Sequence, residues 1–261
     1  FCYQNNKSIY LMAELEDVII STAQSVVLDD MPFLYIHRVE PSPFQVLFKR
    51  LMDICISLFG LILFSPVMLI AAIAIKMGDN GPVLFLQQRA TINGRIFNIY
   101  KFRTMSVAAS SEEQQHSATK DDDRITPVGH FLRASRIDEL PQLWNVLKGD
   151  MSIVGPRPEM LDNVYKYTAE VPEFRYRQQM KAGMTGLAQI EGKYNTSPKD
   201  KAMLDLIYME QFSLAYDLKL MLRTLTIFFR RDSTEGFGDK CFSCPKMRVK
   251  ARAAMQTAAR P

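Results

Sequence analysis

The hydrophobic pattern of the chain is dominated by an uncharged run from Ile54 to Ile75, bounded by Asp53 and Lys76. Its 22 residues exceed the roughly 18 apolar residues that indicate a membrane helix. The run lacks the polar stripe that a buried helix of a soluble protein normally carries. The pattern therefore predicts a membrane-associated helix, and Ser65-Pro66 near its middle bears on whether that helix crosses the bilayer.

The remaining pattern predicts a compact domain of mixed helices and strands, of the α/β or α+β type. Two strands are predicted at 83–90 and 95–105, joined by a hairpin turn at Asn93-Gly94. Residues 106–124 are polar and aperiodic, which predicts a surface loop. Helices are predicted by apolar spacing and by Pro and Gly at their ends over 141–149, 173–183, 197–212 and 217–231. The pattern leaves open whether the last helix packs on a core or lies in a membrane interface.

Charge and cysteine content narrow the function. The formal net charge is +4, but the six Lys or Arg of residues 240–261 leave about −2 for the other 239 residues. The basic character belongs to the tail, so it gives no support for nucleic-acid binding. Cysteines at 2, 55, 241 and 244 form no disulfide framework, and Cys241-x-x-Cys244 is only half of a zinc ligand set.

The densest cluster of reactive side chains lies at 131–159. Asp138-Glu139 directly precede Leu140-Pro141, which open a predicted helix. The positive end of a helix keeps a carboxylate ionised and also suits a bound phosphate. The alternative is that these acids only cap the helix, since acids before helices are favoured for stability alone.

Cations around these carboxylates favour a catalytic role. Arg133 and Arg136 lie just upstream, and Arg157 lies downstream between two prolines that restrict its backbone. Lys101 and Arg103 are further candidate phosphate ligands, assigned from charge alone like Arg136. Carboxylates for a metal, together with several cations for phosphates, are what phosphoryl transfer requires. No histidine lies within the cluster, so a Ser-His-Asp or Cys-His mechanism has no support.

Six motifs follow one another along the chain: FKRLMDICISLFGLILFSPVMLIAAIAIKM, GPVLFLQQR, FNIYKFRTM, DDRITPVGHFLRASRIDELPQLWNVLKGDMSIVGPRPE, KAGMTGLAQIEGKYN and FSLAYDLKLMLRT. In this order, from about Phe44 to Gly236, they resemble the bacterial sugar transferase family, the monotopic polyprenyl-phosphate phosphoglycosyltransferases. The resemblance implies transfer of a sugar-1-phosphate from a UDP-sugar to undecaprenyl phosphate, with release of UMP. This reaction begins the membrane stage of surface polysaccharide or glycoconjugate synthesis.

The resemblance also implies roles for individual residues. Asp138 is expected to be the nucleophile, and its attack on the sugar-linked phosphate makes a reactive mixed anhydride. Glu139, with Asp138, is expected to bind Mg²⁺, which offsets the diphosphate charge. Arg133 and Arg157 are expected to bind phosphate.

For the apolar run, the resemblance implies a re-entrant helix-break-helix at 44–77, with the break at Ser65 and Pro66. Pro66 cannot donate to the carbonyl of Ile62, whereas Ser65 can satisfy a freed carbonyl locally. Each half would be roughly 15–18 Å long, too short for a hydrocarbon core of about 30 Å. Lys49-Arg50 and Lys76 place positive charge at both ends, which favours two cytoplasmic ends.

The predicted organisation has four parts. Residues 1–40 are expected to be the end of a nucleotide-binding-like domain of a longer family member, followed by the re-entrant helix. The catalytic domain spans 78–238 and lies on the cytoplasmic face of the bacterial inner membrane. The basic tail, 239–261, matches no family motif and is expected to be disordered.

Two alternative functions stay open at this point, a membrane-anchored nucleotide-sugar hydrolase and a catalytically silent scaffold. Membrane lipid is an expected partner, and a second copy of the chain is kept open as another. The sequence does not identify the sugar.

Overall fold

The computed structural model describes residues 15–21, 23–28, 31–35, 41–106, 124–192 and 196–228. The loop predicted at 106–124 therefore falls outside the described residues except at its two ends. These ends are joined by a hydrogen bond from Ser106 N to Arg124 O of 3.1 Å. The basic tail and Cys241-x-x-Cys244 also lie outside the described residues.

The described chain contains both helices and strands. The helices are α1 (Leu15–Ser21), α2 (Pro43–Asp79), α3 (Pro127–Ala134), α4 (Gln142–Lys148), α5 (Leu161–Glu170), α6 (Leu187–Glu191), α7 (Pro198–Glu210) and α8 (Leu214–Phe228). The strands are β1 (Gln24–Leu28), β2 (Met31–Tyr35), β3 (Leu84–Ala90), β4 (Ile96–Phe102), β5 (Ser152–Val154) and β6 (Gly183–Thr185). Short 3₁₀ helices lie at Ile92–Gly94, Ile137–Glu139 and Pro172–Gln179.

The strands form three small sheets of two strands each. The pairs β1–β2 and β3–β4 are antiparallel, and β5–β6 is parallel. The hairpin predicted from Asn93-Gly94 is confirmed, since both residues have positive φ, 55° and 74°, in the turn between β3 and β4. A mixed helix and strand fold is thereby confirmed, although the sheets are too small to form a separate layer. The described elements of residues 1–40, α1 and a two-stranded hairpin, do not confirm a nucleotide-binding-like domain.

One predicted helix has a different form. Residues 173–183 were expected to be helical up to the glycine, but the helix is 3₁₀, ends at Gln179, and leaves Gly183 to begin β6. A 3₁₀ turn has the same side-chain polarity pattern over a few residues as an α-helix, so periodicity does not separate the two.

The apolar run forms a single helix, α2, with well-defined ends. Ser42 and Gln45 make a reciprocal capping box at its start, and Asn80 ends it in the left-handed conformation, with φ of 55°. The helix continues through Pro66, so the predicted division into two helices is not confirmed. The local compensation predicted there is present, because Ser65 Oγ donates to Ile62 O at 2.8 Å. This is the carbonyl that Pro66 cannot reach.

The first half of α2 is fixed to the domain by charged and polar contacts. Lys49 Nζ pairs with the buried Asp217 of α8 and donates to Val154 O at 3.1 Å. Arg50 donates to two carbonyls near the end of α4, each at 2.7 Å. Asp53 Oδ1 accepts a hydrogen bond from Ile153 N at 3.0 Å. Lys49 and Arg50, which the sequence offered as positive charge at one end of the apolar run, therefore bind the protein itself.

The second half of α2 packs on the same domain. Ala71 and Ile75 are each 6% exposed and form an apolar cluster with Phe102 of β4 and Leu132 of α3. Strand β4 also contributes Phe97 to the main core. Both halves of α2 therefore contact one folded unit.

Along the rest of α2 a broad apolar surface is exposed. Its large members include Phe48, Leu51, Phe59, Ile62, Leu63, Leu69, Ile70 and Ile73. In the described part of the chain α2 is the one helix long and apolar enough to cross a membrane, and only 17% of its most apolar window is buried. A surface of this size on a water-facing helix would be unfavourable, so it indicates contact with lipid or protein.

Helix α8 combines the two interpretations that its sequence left open. Asp217 and Leu220 are fully buried against the core, whereas Leu218, Leu222 and Leu225 are more than half exposed. The helix packs on the domain with one face and offers an apolar face outward, as an amphipathic helix in an interface does.

Candidate active site

Asp138 and Glu139 lie in the 3₁₀ helix Ile137–Glu139, in the short connection between α3 and α4. The preceding residue, Arg136, adopts the left-handed conformation with φ of 55°, which reverses the chain after α3. Helix α4 then starts at Gln142, with Pro141 as its N-cap. The sequence placed both carboxylates at the start of a helix, and the structure confirms this with one additional 3₁₀ turn.

Glu139 is held by two cations from separate parts of the fold. Arg157 Nη2 lies 3.2 Å from Glu139 Oε1, and Lys101 Nζ lies 3.5 Å from the same oxygen. Burial by itself would raise the pKa of Glu139, but Arg157, Lys101 and Arg136 outweigh that effect and lower the pKa to about 2. Glu139 is therefore ionised at all physiological pH values.

Asp138 has the opposite electrostatic character. Burial and the neighbouring Glu139 charge raise the pKa of Asp138 to about 6, against the lowering effect of Lys101 and Arg133. Within the described part of the chain Asp138 makes no ion pair, in contrast to Glu139. Adjacent carboxylates whose pKa values are driven apart are typical of sites where the two have different roles.

The loop that carries Arg157 is fixed by a buried charge cluster. Arg177 Nη2 donates to Arg157 O at 2.9 Å, and the Arg177 guanidinium pairs with Asp205 Oδ2 at 2.7 Å. The side chains of Arg177 and Asp205 are only 5% and 1% exposed. Glu159 adds an ion pair with Lys201 at 3.2 Å. Sequence analysis missed Arg177 and Asp205, although an acid on the otherwise apolar face of α7 was the available signal.

The conformation of the loop that carries Arg157 is also constrained by close backbone packing. Gly155 and Gly183 face each other across β5 and β6, and a Cβ on Gly183 would lie 2.1 Å from Gly155 N. Neither Gly155 nor Gly183 therefore has room for a side chain.

The other predicted phosphate ligands differ in their contacts, in their effect on the carboxylates and in their exposure. Arg133 Nε donates to Thr104 Oγ1 at 2.7 Å, and its charge acts on Asp138. Arg136 acts in the same way on Glu139. Arg103 is 3% exposed, which leaves little surface for contact with a soluble ligand. In the structure, Lys101 and Arg157 therefore contact Glu139, whereas Arg103 is buried.

A small cleft opens beside the Glu139 ion pairs. It is lined by Arg89, Ile99, Lys101, Gln142, Arg157, Pro158 and Gly183. Neither Arg89 nor Gln142 was selected from the sequence, although Arg89 ends the motif GPVLFLQQR and Gln142 lies within 131–159. The cleft is cationic, as a site for an anionic group requires.

The donor set fits a magnesium ion that is shared with substrate. Among the described residues no group of three or more His, Cys, Asp or Glu side chains could hold a metal ion. Mg²⁺ is usually held by one or two carboxylates and completes its shell with water and substrate phosphates. Asp138 and Glu139, adjacent in sequence and next to Lys101 and Arg157, match that requirement.

Comparisons with known proteins identify the family of this chain. Residues 44–231 match the model of a family described as bacterial sugar transferase. The chain is 42% identical over 202 residues to the UDP-N-acetylgalactosamine-undecaprenyl-phosphate N-acetylgalactosaminephosphotransferase of Aeromonas hydrophila, which covers 76% of this chain and 46% of that protein. It is 41% identical over 190 residues to the UDP-glucose:undecaprenyl-phosphate glucose-1-phosphate transferase of Caulobacter vibrioides, covering 71% of each.

A third relative is the undecaprenyl-phosphate galactose phosphotransferase of Salmonella typhimurium, 35% identical over 225 residues, or 78% of this chain and 46% of that protein. The chain therefore spans less than half the length of two of these three relatives. The matched region includes α2, the carboxylate pair and the Arg157 loop, and the chain belongs to the bacterial sugar transferase family.

Proposed function

We propose that the protein is an undecaprenyl-phosphate sugar phosphotransferase, which moves a sugar-1-phosphate from a UDP-sugar to undecaprenyl phosphate and releases UMP. One observation carries the proposal. Asp138 makes no ion pair with the described residues, whereas the adjacent Glu139 forms ion pairs with Arg157 and Lys101. The names of the Aeromonas hydrophila and Caulobacter vibrioides relatives give both substrate classes, and the name of the Salmonella typhimurium relative gives undecaprenyl phosphate, which supports the assignment.

In the first step, an oxygen of the Asp138 carboxylate attacks the sugar-linked phosphorus of the UDP-sugar. The new bond joins Asp138 to the phosphorus, the bond between that phosphorus and the bridging oxygen breaks, and UMP leaves. Lys101 and Arg157 lie where they can bind the phosphate oxygens, because both already meet at Glu139. The resulting acyl phosphate is reactive enough to pass its group on.

In the second step, a phosphate oxygen of undecaprenyl phosphate attacks the same phosphorus. The bond to Asp138 breaks, the carboxylate is restored, and the sugar leaves on a polyprenyl diphosphate. The step needs no proton and no further reactant. Since both carboxylates must be anions for this chemistry, the cations around them also reduce the repulsion of the incoming phosphates.

Asp138 and Glu139 would hold Mg²⁺. When bound, the ion would neutralise diphosphate charge and stabilise the departing nucleotide.

We also propose that α2 enters one leaflet from the cytoplasmic side and does not cross. Two regions of α2 are docked on the same domain, since Gly60 approaches Leu143 of α4 and Ala71 packs on Phe102 and Leu132. The step from Gly60 to Ala71 covers about 16 Å at 1.5 Å per residue, against a hydrocarbon core of about 30 Å. The segment between the two docked regions is therefore too short to span. This arrangement would let one site reach a soluble nucleotide sugar and a lipid.

One experiment separates this function from its rivals. The full chain in detergent is given a panel of UDP-sugars, with and without undecaprenyl phosphate, and UMP release is followed. A transferase releases UMP continuously only when the lipid acceptor is present. Equal rates without acceptor would indicate a hydrolase, and no release with any sugar would indicate a scaffold.

A further inference from the structure

The side chain of Gln142 has an unusual environment beside the active site. The residue is 4% exposed, yet its amide makes no hydrogen bond with any described residue. It lines the small cationic cleft together with Arg89, Lys101 and Arg157. The amide atoms are not among the side-chain atoms sealed from solvent without a partner, so they reach the cleft and are available there to a ligand or a water.

The position of Gln142 relative to the cleft is fixed by its own helix. One turn further along α4, Asn145 Nδ2 donates to Asn98 O at 2.8 Å, and Asn145 Oδ1 accepts from Tyr100 N at 2.9 Å. These two bonds join α4 to β4, immediately before Lys101. The Gln142 amide and the Lys101 ammonium therefore lie on elements that cannot move independently.

The chemistry of the cleft indicates what the amide meets. Three cations, Arg89, Lys101 and Arg157, face it, and Glu139 supplies one negative charge in contact with two of them. Even with Asp138 counted as a second anion near Lys101, the cations are in excess, which suits an anionic ligand. A neutral N–H donor adds a directed bond to such a ligand without increasing the repulsion among the cations.

We propose that Gln142 is a substrate-binding residue whose Nε2 donates a hydrogen bond to the diphosphate of the nucleotide sugar. The inference rests on the proposed function, since it takes a sugar nucleotide as the ligand. It adds to that function a contact which no motif or charge argument selected. The amide lies three residues beyond Glu139, so the diphosphate is bound between the carboxylate pair and the start of α4.

The test uses the full chain in detergent, with Mg²⁺ in excess, and measures the affinity of UDP and of inorganic pyrophosphate by calorimetry. Gln142→Met keeps most of the side-chain volume and removes the donor, so both ligands should bind about tenfold more weakly, the usual worth of a hydrogen bond to a charged group. Gln142→Glu should bind both more weakly still, because its carboxylate repels phosphate. Gln211→Met, at the exposed end of α7, is the matched control and should change neither affinity.

The proposal is overturned if the Gln142→Met protein binds UDP and pyrophosphate with the affinity of the wild type. It is also overturned if UDP weakens while pyrophosphate does not, since the amide would then contact the nucleoside. Melting temperatures check folding. Should Gln142→Met unfold, Gln142→Asn, which keeps the amide but withdraws it by one methylene, must weaken both ligands. Failure of the wild type to release UMP would instead contradict the proposed reaction, and the two binding measurements would still test the cleft.

Discussion

The guanidinium of Arg157 donates to the carboxylate of Glu139 at 3.2 Å, across 18 residues of chain. This bond joins the loop after β5 to the 3₁₀ turn before α4 and determines the electrostatics of the site. It keeps Glu139 ionised and occupied, so the adjacent Asp138 is the carboxylate that remains available to react. The predictions below follow from this division of roles and from the way α2 and the Arg157 loop are held.

Asp138→Asn should reduce turnover by roughly three orders of magnitude or more, because the amide is a poor nucleophile and this step has no substitute. Folding and membrane association should be unchanged, since Asp138 makes no ion pair with the described residues. Wild-type protein incubated with UDP-sugar alone should carry a phosphosugar that mass spectrometry locates on Asp138. Near-normal rates in the variant, with deamidation excluded, would eliminate the covalent mechanism.

Glu139→Gln should lose most activity, because Arg157 and Lys101 would keep their charges without the carboxylate that organises them. Excess EDTA should likewise stop UMP release, and added Mg²⁺ should restore it. The measurement is initial rate against free Mg²⁺ for both proteins. Full activity of the wild type in excess EDTA would exclude the metal assignment.

Asp205→Asn should lower the free energy of unfolding by about 3–5 kcal/mol, because it leaves the buried Arg177 without its principal partner. Activity should fall as well, since Arg177 also fixes the backbone of Arg157. Glu191→Gln is the matched control. It breaks the Arg223–Glu191 pair, whose side chains are 45% and 43% exposed, and should cost no more than about 1 kcal/mol. Similar denaturation midpoints for both variants would contradict the structural role of the buried pair.

Gly183→Ala should destabilise the protein and impair catalysis, since the added Cβ would lie 2.1 Å from the backbone nitrogen of Gly155, which follows β5 and leads to Arg157. Gly78→Ala is the control. Nothing lies within 4 Å of the added methyl there, and within α2 alanine should stabilise by up to about 1 kcal/mol. Thermal unfolding and UMP release measured on both variants give the comparison. A stable, active Gly183→Ala protein would show that the β5–β6 crossing is wider than described.

Single cysteines at Pro41 and Pro82 should both be shielded from an impermeant thiol reagent in intact cells and should label in inverted vesicles. Both positions lie just outside the caps of α2, so neither change disturbs Ser42 or Asn80. The native cysteines are first replaced, and labelling is compared from each side of the membrane. Labelling of either position from outside would show that α2 crosses the bilayer.

Replacing Ser65 and Pro66 with Leu removes the one proline inside α2 and the side-chain bond that accompanies it. We expect activity to fall as one end of the helix moves across the bilayer. An active variant with both ends still cytoplasmic would mean that docking of the two halves, and not Ser65-Pro66, holds α2 on one side.

The sequence by itself determined the elements that depend on local pattern. The apolar run specified α2, the Asn93-Gly94 pair specified the β3–β4 turn, and Pro141 and Gly149 bounded α4. The motif order was sufficient to identify the family. Local sequence suffices for these features because helix ends, turns and apolar length depend on residues a few positions apart.

Only the tertiary structure decided which charges meet. Lys49 was noted only as positive charge at one end of the apolar run, and the structure pairs it with Asp217. Arg177 and Asp205, which were not selected from the sequence, hold the Arg157 loop. The choice between Asp138 and Glu139 as the engaged carboxylate also depends on Arg157 and Lys101 arriving from distant segments. The spacing of charged residues along the sequence does not reveal which of them form ion pairs. Those pairs depend on how the apolar faces of helices and strands pack. The same packing buried the amide of Gln142 in a cleft of cations, which its neighbours in sequence give no means to foresee.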